Sequence, residues 1–129
     1  MSVKYTGKNE AKEGTFPPFP VQEKEIVLTG LLMQKTEKGD RISLKIDIGW
    51  GKPMNLDLAE MEVLVHRGTE DGPVVYWTQE SCMIKARFKE TISLRAQSDY
   101  ELFYLTVRSL EQRAIIYGPY SLQGTVHGE

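Results

Sequence analysis

The chain has 129 residues, 16 basic and 18 acidic side chains, a formal net charge of −2 and one cysteine. That length fits one domain and can bury roughly two-thirds of its unfolded surface, so folding needs neither a disulfide nor a metal. The single thiol fits a reduced compartment, or a particle assembled in one, and excludes an intrachain disulfide scaffold.

Residues 1–23 are polar, lack periodicity and contain Pro17, Pro18 and Pro20. Proline has no backbone N–H and fixes φ, so the stretch reads as an extended arm preceding a domain over 24–129. The first fifteen residues have no apolar core of the kind a secretory signal needs. The expected location is therefore the cytoplasm or a virion. No apolar run is long enough to span a bilayer, so no membrane partner is expected.

Strand signals begin after Lys24. Residues 25–34 (EIVLTGLLMQ) form a β-rich apolar run, followed by the turn text TEKGD. Residues 41–49 alternate strictly, with Ile42, Leu44, Ile46 and Ile48 on one side and Ser43, Lys45 and Asp47 on the other. Period two is the strand period, and a hairpin is the simplest link between the two runs. GWGKP (49–53) reads as a turn. Residues 54–67 suit two short strands broken near Ala59, with a helix as the poorer alternative. GTEDGP (68–73) is a loop and VVYWT (74–78) a strand.

CMIKARF (82–88) alternates with Cys82, Ile84, Ala86 and Phe88 inward, and TISLRA (91–96) follows, with Lys89 and Glu90 as the turn between them. Residues 100–109 carry a capping-box spacing from Ser98 to Glu101. Their Phe, Tyr, Thr and Val content favours a doubly buried strand instead. RAIIYG and YSLQGTV, split by Pro119, complete the chain. About nine strands at short, regular spacing, without a βαβ pattern, predict a mainly β fold. It is an antiparallel β-sandwich, jelly-roll-like, with an extended N-terminal arm and at most one short helix.

Catalytic signatures are sparse. Neither His66 nor His127 has a second histidine or cysteine at ligand spacing, so both read as surface residues and no metal or other cofactor is expected. Cys82 falls on an inward face, where a thiol behaves as a small hydrophobe; a Cys82–His66 dyad requires the fold to bring them together. Glu60 and Glu62 share a strand face, as chance pairs do in a sandwich with many acids. Glu70 and Asp71 beside Gly72 could offer oxygens to calcium, but lack the alternating acids of a dedicated loop. There is no Gly-x-Ser-x-Gly elbow and no phosphate loop at Gly49–Lys52. Lys85, Arg87, Lys89 and Arg95 are interrupted by Glu90 and read as a solvated strand side, which disfavours nucleic acid.

Aromatic residues carry more. Trp50 lies between two glycines, where it either projects as a contact or folds back over the core. Tyr76 and Trp77 are neighbours on a strand, so one of them faces out, and Trp77 reads first as a packed residue. Phe16 and Phe19 are costly to leave in water and must bury on their own domain or on a neighbouring copy. The Pro17–Pro20 spacing resembles a PxxP ligand, but the nearest basic residue is Lys12, next to Glu13.

The preferred reading is a non-enzymatic assembly or adhesion module that self-associates through its arm. Trp50 and the Glu70–Asp71 loop are its contact loops. Leaderless, cysteine-poor, arm-bearing β domains are frequent among virion and phage-tail parts. Its alternatives are a carbohydrate-binding module using Trp50, Tyr76 or Trp77, a small barrel enzyme using Glu60, Glu62 or His66, and an OB-like binder of single strands.

Overall fold

A computed structural model describes residues 3–53 and 58–128. Its strands are β1 (Val3–Ala11), β2 (Phe19–Val21), β3 (Ile26–Met33), β4 (Arg41–Gly51), β5 (Ala59–Arg67), β6 (Val74–Cys82), β7 (Lys85–Arg95), β8 (Glu101–Arg108) and β9 (Ala114–His127). No helix occurs among the described residues. The part of the ambiguous 54–67 segment at 54–57, including Leu56, lies outside them; from Ala59 onward it is strand.

Two antiparallel sheets form, in the orders β1-β9-β4-β7 and β3-β8-β5-β6, with β2 also paired to β9. The pairs are nested: β5 with β6, β4 with β7, β3 with β8 and β1 with β9. This is one long hairpin wrapped into two layers, the jelly-roll arrangement. Pairing of β4 with β9 and of β5 with β8 completes the sheets.

The core is made by the alternation. Ile42, Leu44, Ile46 and Ile48 of β4 are at most 2% exposed, and they face Met61, Val63 and Val65 of β5 and Phe103, Leu105 and Val107 of β8, all fully buried. Strand β8 is a central strand, so its aromatic and β-branched residues are the packing that favours strand over helix there.

Three expectations change. The runs at 25–34 and 41–49 do not form a hairpin: β3 and β4 belong to opposite sheets, and TEKGD carries the chain across the core. Alternation sets a strand's buried face but not its partner. Lys89 and Glu90 are not a turn. β7 runs unbroken opposite β4 from Lys85↔Gly51 to Arg95↔Arg41. Neither residue supplies the positive φ or fixed φ of a turn residue, and a long partner strand is available. The chain reverses at Met83 and Ile84 instead, leaving Ile84 76% exposed rather than inward.

The N-terminal segment is extended, but it does not project. β1 lies along the second half of β9, from Val3↔His127 to Ala11↔Tyr120. Phe19, Pro20 and Val21 pair with Ile116, Ile115 and Ala114 of its first half. Pro20 is tolerated there because β2 has a free side.

Candidate interaction surface

The outer face of the β1-β9-β4-β7 sheet is polar. Lys8, Lys45, Asp47, Lys89, Thr91 and Gln123 line a shallow depression of about 390 Å³. Arg87 donates through Nε and Nη2 to the two Asp47 carboxylate oxygens, at 2.5 and 2.9 Å. The cations are thus a solvated strand side, crossed by carboxylates.

The outer face of the β3-β8-β5-β6 sheet is different. Val27, Leu32, Val74 and Trp77 are each 40–52% exposed. Trp77 stands opposite Leu64, which is only 5% exposed. The Trp77 indole N–H donates to Glu62 Oε1 at 2.7 Å. Arg108 donates to both Glu62 oxygens at 3.1 Å. Glu62 is buried, and the Arg108 guanidinium holds its carboxyl below the usual range against the opposing effect of burial, with help from the Trp77 N–H. The large exposed ring is therefore fixed at its polar edge by an ion pair.

Beside it lies a second polar cluster. His66 Nδ1 faces Gly72 O at 2.7 Å, and Nε2 faces Glu25, which also accepts from the Thr106 hydroxyl. Both ring nitrogens meet acceptors, which is the arrangement of an imidazolium. Burial pushes the His66 pKa down, but the Gly72 carbonyl and Glu25 outweigh it and raise the pKa above its ordinary value. His66 is 5% exposed, so its reading as a surface residue is corrected: it is a buried clasp between the start of β3, the β5–β6 loop and β8.

The predicted site residues are scattered. Phe16 and Phe19 lie against their own domain, with ring centroids 5.6 Å apart and Phe16 5.4 Å from Tyr120. Both are partly buried against the core of their own chain. Trp50 is 1% exposed inside β4, so it is a core residue and not a contact loop. Tyr76 packs partly against the core and Trp77 is the outward one. Glu70 and Asp71 are exposed in the β5–β6 loop and, with Lys24, Glu25, Val27 and Thr106, line a depression of about 400 Å³. Asp71 accepts from the Thr69 hydroxyl at 3.1 Å.

The structure does not assemble the Cys82–His66 dyad. Cys82 lies opposite Ala59 and His66 opposite Val74, at the two ends of the β5–β6 pair. Seven residue steps along β5 separate those positions, about 23 Å. Glu60 accepts from the Ser109 hydroxyl at 2.7 Å and from Glu111 N at 3.1 Å, which makes it a loop clamp. Among the described residues no group of three His, Cys, Asp or Glu is placed to hold a metal. The sequence reading missed Arg108 and Glu25. Their partners are 46 and 41 residues away, and only the sheet register unites them.

No protein-family model matches the sequence, and no curated protein sequence is similar to it. Solved structures do resemble the fold. VP2 in the infectious bursal disease virus subviral particle is 12% identical with a TM-score of 0.55, over 98% of this chain and 34% of that one. The chain thus spans about a third of that viral protein's length. A protein of Bacillus endospore appendages, a family of disulfide-linked pili, is 5% identical over 100% of this chain and 93% of that one, with a TM-score of 0.49. The CBM22-1 xylan-binding domain of Paenibacillus barcinonensis Xyn10C is 12% identical over 99% and 96%, with a TM-score of 0.42. At these identities the likeness to VP2 concerns the fold alone, and the other two carry no further weight.

Proposed function

We propose that the protein is a non-enzymatic structural module that assembles with a second copy of itself at the β6 side of the β3-β8-β5-β6 sheet, with Trp77 as the anchor. The observation that carries this is the state of Trp77. It is 52% exposed, yet its N–H is tied to a buried carboxylate. A large ring held in one orientation loses little conformational freedom on contact, and tryptophan is the residue most enriched at interface hot spots. Val74 is exposed on the same strand, whereas Val27 and Leu32 are exposed three strands away on β3. The former catalytic candidates are engaged elsewhere: Glu62 with Arg108, His66 with Glu25, and Cys82 in the core. The shared fold with a protein of a subviral particle agrees with assembly by analogy only.

The test is solution mass by light scattering over a concentration series, for the wild type and Trp77→Ala. The wild type should be larger than 14.7 kDa and the variant should shift toward that mass. A wild type that stays at 14.7 kDa at every concentration overturns the reading.

A carbohydrate reading draws on the same exposed ring, which has Gln79 exposed on the same strand and Arg108 nearby. Trp50 is buried, so an external ligand would change only the Trp77 fluorescence. Saturable quenching by soluble oligosaccharides, lost in Trp77→Ala, would favour sugar over self-assembly.

A further inference from the structure

We infer that the second copy attaches by strand addition at the free edge of β6, giving a continuous sheet across a two-fold axis. This deepens the reading of Trp77 as the anchor of self-association and rests on it. A sheet edge displays unpaired N–H and C=O groups, and proteins usually blunt such edges with charge, proline or a cover.

The edges of this sandwich differ in that respect. On one side β1 and β3 lie together, and β1 covers β3: Tyr5 Oη donates to Leu32 O at 3.4 Å, and the Asn9 side chain donates to Gly30 O. On the other side β7 carries Lys85, Arg87, Lys89, Glu90 and Arg95. β6 (VVYWTQESC) has one charged residue, Glu80, and no proline, glycine or lysine. Its first six residues, Val74 to Gln79, are uncharged and rich in β-branched and aromatic types, the composition that pairs most readily with another strand. Among the described residues no hydrogen bond reaches β6 from the β7 side. The defences of β6 are limited to a β-bulge at Val75 and the single charge of Glu80, fewer than those of β7.

The occupant follows from charge. In an antiparallel pair about a two-fold at Trp77, Val75 faces Gln79, Tyr76 faces Thr78 and Val74 faces Glu80 of the second copy. No like charges meet, and the two Trp77 side chains become direct cross-strand neighbours on the outer face, with Cβ atoms about 4.5–5.5 Å apart. A β7 pair centred on Glu90 would instead set Glu90 against itself and Lys85 against Arg95, which is repulsive. An isologous contact of the first kind closes as a dimer.

The experiment uses the full chain. Light scattering and amide hydrogen exchange are measured over a concentration series for the wild type and for Gln79→Lys/Ser81→Lys, which places on exposed β6 positions the charges that β7 already has. The wild type should approach twice 14.7 kDa, with amides of 74–82 gaining protection as concentration rises and those of 85–95 unchanged. The double variant should keep its circular dichroism and lose association by about tenfold or more. A wild type that dimerises while its 74–82 amides exchange at one rate at every concentration overturns strand addition and leaves Trp77 anchoring intact. That result decides the matter even if the double variant misfolds. Concentration-dependent protection of 74–82 that survives Trp77→Ala overturns the anchor and leaves strand addition standing. A wild type monomeric throughout overturns both.

Discussion

Trp77 and Glu62 meet at 2.7 Å across the β5–β6 pair, and the carboxylate is buried while the ring is half exposed. Glu62 depends on Arg108 for its counter-charge. Removing the guanidinium leaves a carboxylate under the sheet surface with only an indole N–H. Arg108→Ala should therefore destabilise by about 2 kcal/mol in urea unfolding. Glu62→Gln keeps an acceptor for Trp77 and should cost less. Glu62 has a lowered folded pKa, so its contribution is present above the ordinary carboxylate pKa and lost as pH falls through the depressed one. The acid limb of the wild-type stability profile should flatten in Glu62→Gln.

The His66 clasp has the opposite sign. Its folded pKa is raised, so its stabilisation is complete below the ordinary histidine pKa and is lost as pH rises through the folded value. The groups that face it are Glu25, the Gly72 carbonyl and, at longer range, Asp71. Wild-type stability should decline as pH is raised above about 6.5. His66→Phe should abolish that decline. Proton NMR of the His66 ring reads the same equilibrium. A midpoint below the ordinary value would refute the imidazolium arrangement.

The N-terminal segment behaves as part of the sandwich. Deleting residues 1–23 removes β1 and β2 and exposes one side of β9 along both halves. It also uncovers the carbonyls of Gly30 and Leu32. The truncated chain should unfold or aggregate rather than yield a clean monomer. Phe16→Ala is the milder probe: loss of contact with Phe19 and Tyr120 should cost about 1–2 kcal/mol without changing solution mass. An assembly lost in Phe16→Ala but kept in Trp77→Ala would return the interface to the arm.

What could be read from the sequence was local. Ile42 to Ile48 alternate without interruption, so β4 and its buried face were legible, as were the loop at 68–73 and the strand character of 100–109. Pairing was not, because alternation is the same whether β3 meets β4 in one sheet or across the core. Trp50 misled for a physical reason. Its flanking glycines look like a turn, but they sit inside a strand where other backbone comes close. A Cβ on Gly49 would strike the Gly118 carbonyl, and one on Gly51 would lie 2.7 Å from Ile84 O. Proline misled similarly: Pro20 and Pro119 lie at a free strand side and within the β9 irregularity, where β4 shifts register between Ile48 and Trp50.

That crossing gives a sharp test. Gly49→Ala should destabilise by about 2–4 kcal/mol, since backbone cannot step aside as a side chain can. Gly118 has φ +90°, and a Cβ there would approach Phe16 Cζ to 2.8 Å, so Gly118→Ala carries both backbone strain and a clash. Gly14 also has positive φ, yet it has open space around it. Gly14→Ala should cost only about 1 kcal/mol by urea unfolding. The ranking Gly118 and Gly49 well above Gly14 is the outcome that supports this packing of β4 against β9.

Cys82 offers a direct readout of the same core. It is 9% exposed, and burial pushes its thiol pKa up, with only partial opposition from the Lys52 charge. The thiolate is the reactive form, so native protein should label slowly with a maleimide near neutral pH. Because it is the only cysteine, a single-site rate reports opening of the sandwich where β6 ends. Gly49→Ala and Arg108→Ala should speed labelling in proportion to their loss of stability if the sandwich opens as one unit. Labelling that is fast in the native wild type would mean that the β6 terminus opens independently. Strand addition at β6 would then have to begin from Val74 to Gln79, the stretch nearer the His66 clasp.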